Sequence, residues 1–122
     1  MTDTISKTRY VIAVPDLAAS AKFYHDALGF EIHEIGDAGW RFFLKDHCCI
    51  MAGECPDAIP PAQLGDHSYF AYMVIDGIDA YHKKVVAAGA EIVKPLRDEP
   101  WEMREFGVRT QDGHRIMFGS PT

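Results

Sequence analysis

The chain carries six histidines and three cysteines, the residue types that ligate metals or act as nucleophiles. Their spacing builds no local motif: no HExxH, GxSxG or CxxC occurs, and no glycine-rich loop follows a strand to cradle phosphate. Cys48 and Cys49 are adjacent, so on a strand their side chains point to opposite faces and cannot easily bridge. One of the pair reads as a buried structural thiol. Cys55 falls in a loop, as do Glu54, Asp57 and Asp66, which read as solubility residues. His25, His33 and His82 fall on helix or outer-strand positions facing solvent. What remains is a set of aromatic and arginine side chains, chiefly Trp40, Phe42, Trp101, Arg104 and Phe106. Tryptophans stack on planar or sugar-bearing ligands. A partly desolvated arginine fixes a carboxylate or phosphate by a bidentate pair.

The elements that must position these residues come as a repeat. Shifting the sequence by sixty residues aligns Val14 with Val74, Asp16 with Asp76, Gly29 with Gly89, Glu31 with Glu91 and Ile32 with Ile92. In the first half Asp16 is an expected N-cap, and Leu17, Ala21, Tyr24 and Leu28 share one helical face, with Gly29 at the left-handed end. In the second half Asp76 or Asp79 caps. Ile78, Tyr81 or His82, and Val85 form the stripe, and Gly89 ends it. Strands are expected at 10–14, 30–35, 40–44, 47–51, 67–75, 91–93, 102–108 and 114–118. The order is βαβββ twice, with modules at 8–52 and 67–119 and a linker at 53–66 that is rich in Pro, Gly and acids. The expected class is α+β in a single domain. One helix covers only one face of a four-stranded sheet, so two such sheets facing each other would enclose a cavity.

Composition bounds the setting. A chain of 122 residues, 48% apolar and 25% charged, suits one globular domain. The net charge of −6, with Lys and Arg scattered, argues against a sequence-independent nucleic-acid binder. No apolar run approaches the ~18–20 residues of a membrane helix, and MTDTISKTRY lacks the apolar stretch of a signal peptide. The expectation is a cytoplasmic protein with reduced thiols and with neither nucleic-acid nor membrane partners.

The stretch VPDLAASAKFYHDALGFEI, its weaker copy VIDGIDAYHKKVVAAGAEI and the ending REFGVRTQDGHRIMFGS resemble the vicinal oxygen chelate superfamily. That superfamily holds glyoxalase I, extradiol dioxygenases, fosfomycin-resistance enzymes and bleomycin-resistance proteins. The resemblance implies a cleft-enclosing mixed sheet, the glyoxalase/bleomycin-resistance fold. GDAGWRFF and WEMREFGVRTQDGH look most like the bleomycin-resistance members, which bind a drug without destroying it, usually as dimers with crevices between subunits. Enzymes of the superfamily hold a divalent metal through His or Glu at one position in each of four strands. Here those positions fall on Arg9, Met51, Phe70 and Met117, none of them a ligand for such an ion. His67 and His114 each lie three residues before one of these positions and so point to the opposite face. A metal site using them or His47 would need a bulge.

Parity taken from the four positions puts Val11, Ala13, Cys49, Met51, Phe70, Tyr72, Val74, Arg115 and Met117 on one face. Trp40, Phe42, Trp101, Arg104 and Phe106 are expected to line the same cavity, with Arg9 and Arg104 on an open rim or reaching Glu102 or Glu105. Sheets packed shut by their own aromatics are the competing structural reading. The expected function is binding: a metal-free, cofactor-free homodimer sequestering a medium-sized planar or amphipathic compound, an antibiotic-resistance role. The expected ligand contacts are Arg9, Trp40, Phe42, Met51, Phe70, Tyr72, Trp101, Arg104 and Met117. The alternative is a metal-dependent lyase, isomerase or dioxygenase whose ligands stand elsewhere.

Overall fold

The computed structural model describes residues 5–65 and 68–122. The first module runs β1 (Tyr10–Val14), α1 (Leu17–Asp26), β2 (Glu31–Glu34), β3 (Trp40–Lys45) and β4 (Cys48–Glu54). The second runs β5 (Tyr69–Val74), α2 (Ile78–Ala87), β6 (Glu91–Glu99), β7 (Met103–Arg109) and β8 (Arg115–Pro121). A 3-10 turn at Pro61–Leu64 lies between them. The sheets have the same order, β1-β4-β3-β2 and β5-β8-β7-β6. In each, the first strand pairs parallel to the last, and the remaining pairs are antiparallel. The α+β class and the doubled βαβββ order are therefore observed.

Helix α1 forms where its sequence says it should. Asp16 caps it by accepting from the Ala19 amide at 3.1 Å, and Leu17, Ala21 and Tyr24 are buried. Gly29 then takes φ +82°, a left-handed turn that a Cβ would strain. A second acceptor caps the same helix. The Glu54 carboxylate, at the end of β4, accepts from the Leu17 amide at 3.0 Å, so Glu54 is structural and not merely solubilising. Helix α2 differs from expectation. Its N-cap is Gly77 at φ +75° with no side-chain cap bond, and Asp79 lies in its first turn. A left-handed glycine closes the turn after Asp76, which takes the N-cap away from both aspartates.

The two modules join through the helix-covered sides of their sheets. Ser20 of α1 donates to Asp112 in the β7–β8 turn at 2.7 Å. The Tyr81 hydroxyl of α2 donates to the Leu28 carbonyl at 2.7 Å. Tyr10 and Phe70 meet edge to face at 6.0 Å, and a continuous core includes Ile12, Leu17, Tyr24, Ile50, Met73, Ile78, Phe106 and Phe118. The other face of each sheet is left open. The strands β1 and β5 are sheet edges, and their open-face residues Val11, Tyr72 and Val74 are 65%, 42% and 63% exposed. The aromatics thus do not pack the two open faces shut against each other. Among the described residues no helix is long and apolar enough to cross a membrane. Asp66 and His67 lie outside the described residues.

Candidate functional site

The open face of the first sheet is set by strand register. Val11 pairs with Met51, Phe42 with Met51, Leu44 with Cys49 and Trp40 with Gly53, and residues directly opposite share a face. Gly53 leaves the room that Trp40 fills: a Cβ there would stand 2.8 Å from the indole ring. The Arg9 guanidinium lies over the Phe42 ring at 5.4 Å, a cation–π placement. So Arg9, Trp40, Phe42 and Met51 come together as expected, on a face that is mostly apolar.

The open face of the second sheet carries a charged cluster in a hollow that opens to solvent. A cavity of about 730 Å³ is lined by Tyr69, Lys94, Arg97, Trp101, Glu105, Arg109, Arg115 and Met117 among others. Glu105, buried on β7, is its hub. One carboxylate oxygen accepts from the Tyr72 hydroxyl at 3.0 Å and from the Trp101 indole at 2.9 Å. The other pairs with Lys94 at 3.1 Å. Burial pushes the Glu105 carboxyl up, but these donors outweigh it and hold it below the usual range. The Tyr72 phenol is pushed up to about 12 by desolvation and by its bond to Glu105, so it stays a donor at neutral pH. Trp101 stands in the β6–β7 turn, 59% exposed, and folds over this face.

Two expected contacts, Phe70 and Arg104, and one expected lining residue, Phe106, are not here. Phe70 turns to the helix-covered side, where it meets Tyr10 and His114. The cause is a register shift between Tyr69 and Ala71, which puts Tyr69 on the open face in its place. Arg104 points away too, held by Asp79 at 2.7 Å and Asp98 at 3.2 Å. Phe106 is fully buried in the core against Phe118 and Tyr81. On β7 the open face belongs to Glu105, Gly107 and Arg109, so the even-numbered residues are the wrong ones. Conversely, Tyr69, Lys94, Arg97 and Arg109 went unforeseen. Arg109 was signalled by alternation from Glu105. Lys94 and Arg97 were hidden behind Pro95, which reads as a strand stop.

The residues do not fit a divalent metal. With Tyr69 in place of Phe70, the superfamily's four ligand positions carry Arg9, Met51, Tyr69 and Met117: a guanidinium, two thioethers and a phenol. Among the described residues no group of three or more His, Cys, Asp or Glu comes together. His47 is exposed at the β3–β4 hairpin, and His114 is buried against Phe70 with burial lowering its pKa. Cys48 is no activated nucleophile either. Burial, with Cys49 adding to it, raises its thiol to about 11.

Comparison with known proteins agrees with the architecture. A curated relative, "Glutathione transferase FosA" of Serratia marcescens, is 26% identical over 113 residues, covering 91% of this chain and 77% of that protein. The solved structure of a glyoxalase-related enzyme from Clostridium phytofermentans superposes with a TM-score of 0.80 at 19% identity, covering 98% of both chains. TioX from Micromonospora sp. ML1 superposes at 0.73 with 22% identity over 94% of this chain and 99% of its own. These two likenesses establish shared fold. The sequence profile described as Glyoxalase/Bleomycin resistance protein/Dioxygenase superfamily matches residues 7–118. Spanning nearly the whole chain, that match places the protein in the Glyoxalase/Bleomycin resistance protein/Dioxygenase superfamily.

Proposed function

We propose that the protein is a small-molecule-binding protein of the bleomycin-resistance type, which sequesters a planar or amphipathic compound in a crevice between two copies of the chain. The observation that carries this reading is the pair of open sheet faces lying beside edge strands that, among the described residues, pair on one side only. Val11 on β1 and Val74 on β5 are exposed apolar side chains at those edges. Setting β1 of one copy beside β5 of the other covers both and faces Trp40, Phe42 and Met51 toward Tyr72, Trp101 and Met117. Sequestration would raise tolerance to the bound drug while leaving the drug chemically intact.

The likeness to a glutathione transferase favours a second reading, a metal-dependent enzyme. The donor set at the four ligand positions works against it. The test is titration with N-phenyl-1-naphthylamine, a neutral arene, following quenching of tryptophan fluorescence, beside equilibrium dialysis against Mn²⁺, Zn²⁺ and Ni²⁺. Saturable quenching that Trp40→Ala weakens, with less than one ion held per crevice, is expected. Stoichiometric binding of any of the three ions, or no quenching, would overturn the reading.

A further inference from the structure

Trp101 is an exposed side chain held by a buried one. It stands in the turn between β6 and β7, where an exposed indole is ordinarily free to turn about its two side-chain bonds. Here its Nε1 donates at 2.9 Å to Oε1 of Glu105, a carboxylate buried by the fold. The backbone beneath the ring is fixed as well. Glu102, at φ +64°, donates its amide to the Glu99 carbonyl at 3.1 Å, and its carbonyl accepts from the Thr122 amide at 3.1 Å. With the turn pinned and one end of the ring bonded, the indole keeps one orientation.

Glu105 is itself held from other elements. Tyr72 of β5 reaches over Gly119 of β8 and donates to the same oxygen at 3.0 Å. Lys94 of β6 pairs with the other oxygen at 3.1 Å, and with Glu99 at 3.5 Å. Both carboxylate oxygens are thus engaged inside the protein, and so are the Tyr72 and Trp101 donors. Each of the two rings still meets solvent, so what they offer a ligand is ring surface. Resting on the crevice reading above, we infer that Glu105 is a positioning residue for that ligand. It touches no ligand itself. By bonding the Trp101 indole and the Tyr72 phenol from behind, it sets them as a rigid wall on which a planar ring stacks, opposite Trp40 and Phe42 of the other copy. An immobilised aromatic binds more tightly than a free one, because its rotamer entropy is lost on folding and not on binding.

The test reads the indole proton and the ligand together. The two tryptophans give two indole N–H signals in a proton–nitrogen correlation spectrum, and Trp101→Phe deletes the one to follow. In the native protein that proton should exchange with water about tenfold more slowly than in free tryptophan, as a bond to a charged acceptor requires. It should stay slow when N-phenyl-1-naphthylamine saturates the crevice. Glu105→Met removes the acceptor. It should bring exchange to the free rate and weaken the arene about fivefold, the worth of one immobilised side chain. Glu105→Gln, which keeps an oxygen, should restore most of both. Where Glu105→Met does not fold, the native exchange rates with and without the arene decide. Free exchange in the native protein, or on adding the arene, overturns the inference. So does a Glu105→Met protein that binds weakly while its Trp101 proton stays slow, since Glu105 then acts on the fold and not through the ring. Unchanged affinity with a freed proton also overturns it and leaves the crevice standing. A native protein that binds no arene sinks the crevice reading and this inference together.

Discussion

At the scale of single residues, the open faces depend on where a Cβ is missing. Trp40 lies flat on β4 because Gly53 has no side chain, and Tyr72 reaches Glu105 across Gly119, where a Cβ would stand 2.0 Å from the phenol oxygen. Gly53→Ala should lift the Trp40 indole off the strand. The expected cost is about 1–3 kcal/mol of overpacking, with a shifted tryptophan emission and weaker quenching by the neutral arene. Unaltered emission and affinity would show that Trp40 does not depend on the glycine. Individual residues were legible from the sequence only where alternation was regular. Val11, Met51, Tyr72, Val74 and Met117 were placed on the correct face because β1, β4 and the later parts of β5 and β8 alternate without interruption. Arg104 and Phe106 were misplaced by one step on β7. An aromatic side chain on a strand suits cavity lining and core alike, and Phe106 is core.

At the scale of elements, irregularities account for what was missed. The register shift between Tyr69 and Ala71 exchanges Phe70 for Tyr69, and nothing in the string SYFAY announces it. On β6, register shifts between Ile92 and Lys94 and between Lys94 and Arg97 carry the strand through Pro95 to Glu99. Proline is tolerated there because β6 is an edge strand and the shift spares a ladder bond. That continuation delivers Lys94 and Arg97 to the cavity. The helices were read better, since Asp16, Leu17, Tyr24 and Gly29 obey local rules. What local rules omit is Glu54, which caps α1 from thirty-seven residues away. Glu54→Ala should cost about 1 kcal/mol, the usual loss of a capping acceptor, seen as a lower thermal midpoint. Glu54→Gln, which keeps an acceptor, should recover part of it. Equal midpoints for all three proteins would mean that Asp16 alone holds the helix end.

At the scale of the whole molecule, two joints decide the assembly. The first lies inside the chain, where Ser20 donates to Asp112. Burial, helped by the Asp16 charge and opposed by the Ser20 bond, raises the Asp112 carboxyl above its ordinary 3.8. A carboxyl raised on folding binds its proton more tightly in the native state, so its contribution to stability falls as pH climbs from 3.8 through the raised value. Asp112→Asn should therefore match the native protein below pH 3.8 and exceed it in denaturation midpoint at pH 7. A variant less stable at pH 7 would show that the charged hydrogen bond outweighs desolvation.

The second joint is the one proposed between chains. Among the described residues each sheet ends in a strand paired on one side only and carrying an exposed valine, β1 with Val11 and β5 with Val74. An edge of this kind is a template for another strand unless a charge blocks it. Val74→Glu puts a carboxylate where the partner's β1 would lie, and burying it unpaired would cost several kcal/mol. Light scattering should report a dimer for the native protein and a monomer for Val74→Glu. Far-ultraviolet circular dichroism should be unchanged, because Val74 lies outside the core. Binding of N-phenyl-1-naphthylamine should fall with the dimer, since each half-crevice then faces water. A native monomer would remove the edge-to-edge assembly outright. A Val74→Glu dimer that still binds the arene would place the crevice within one chain, and the exposure of Val11 and Val74 would then need another partner.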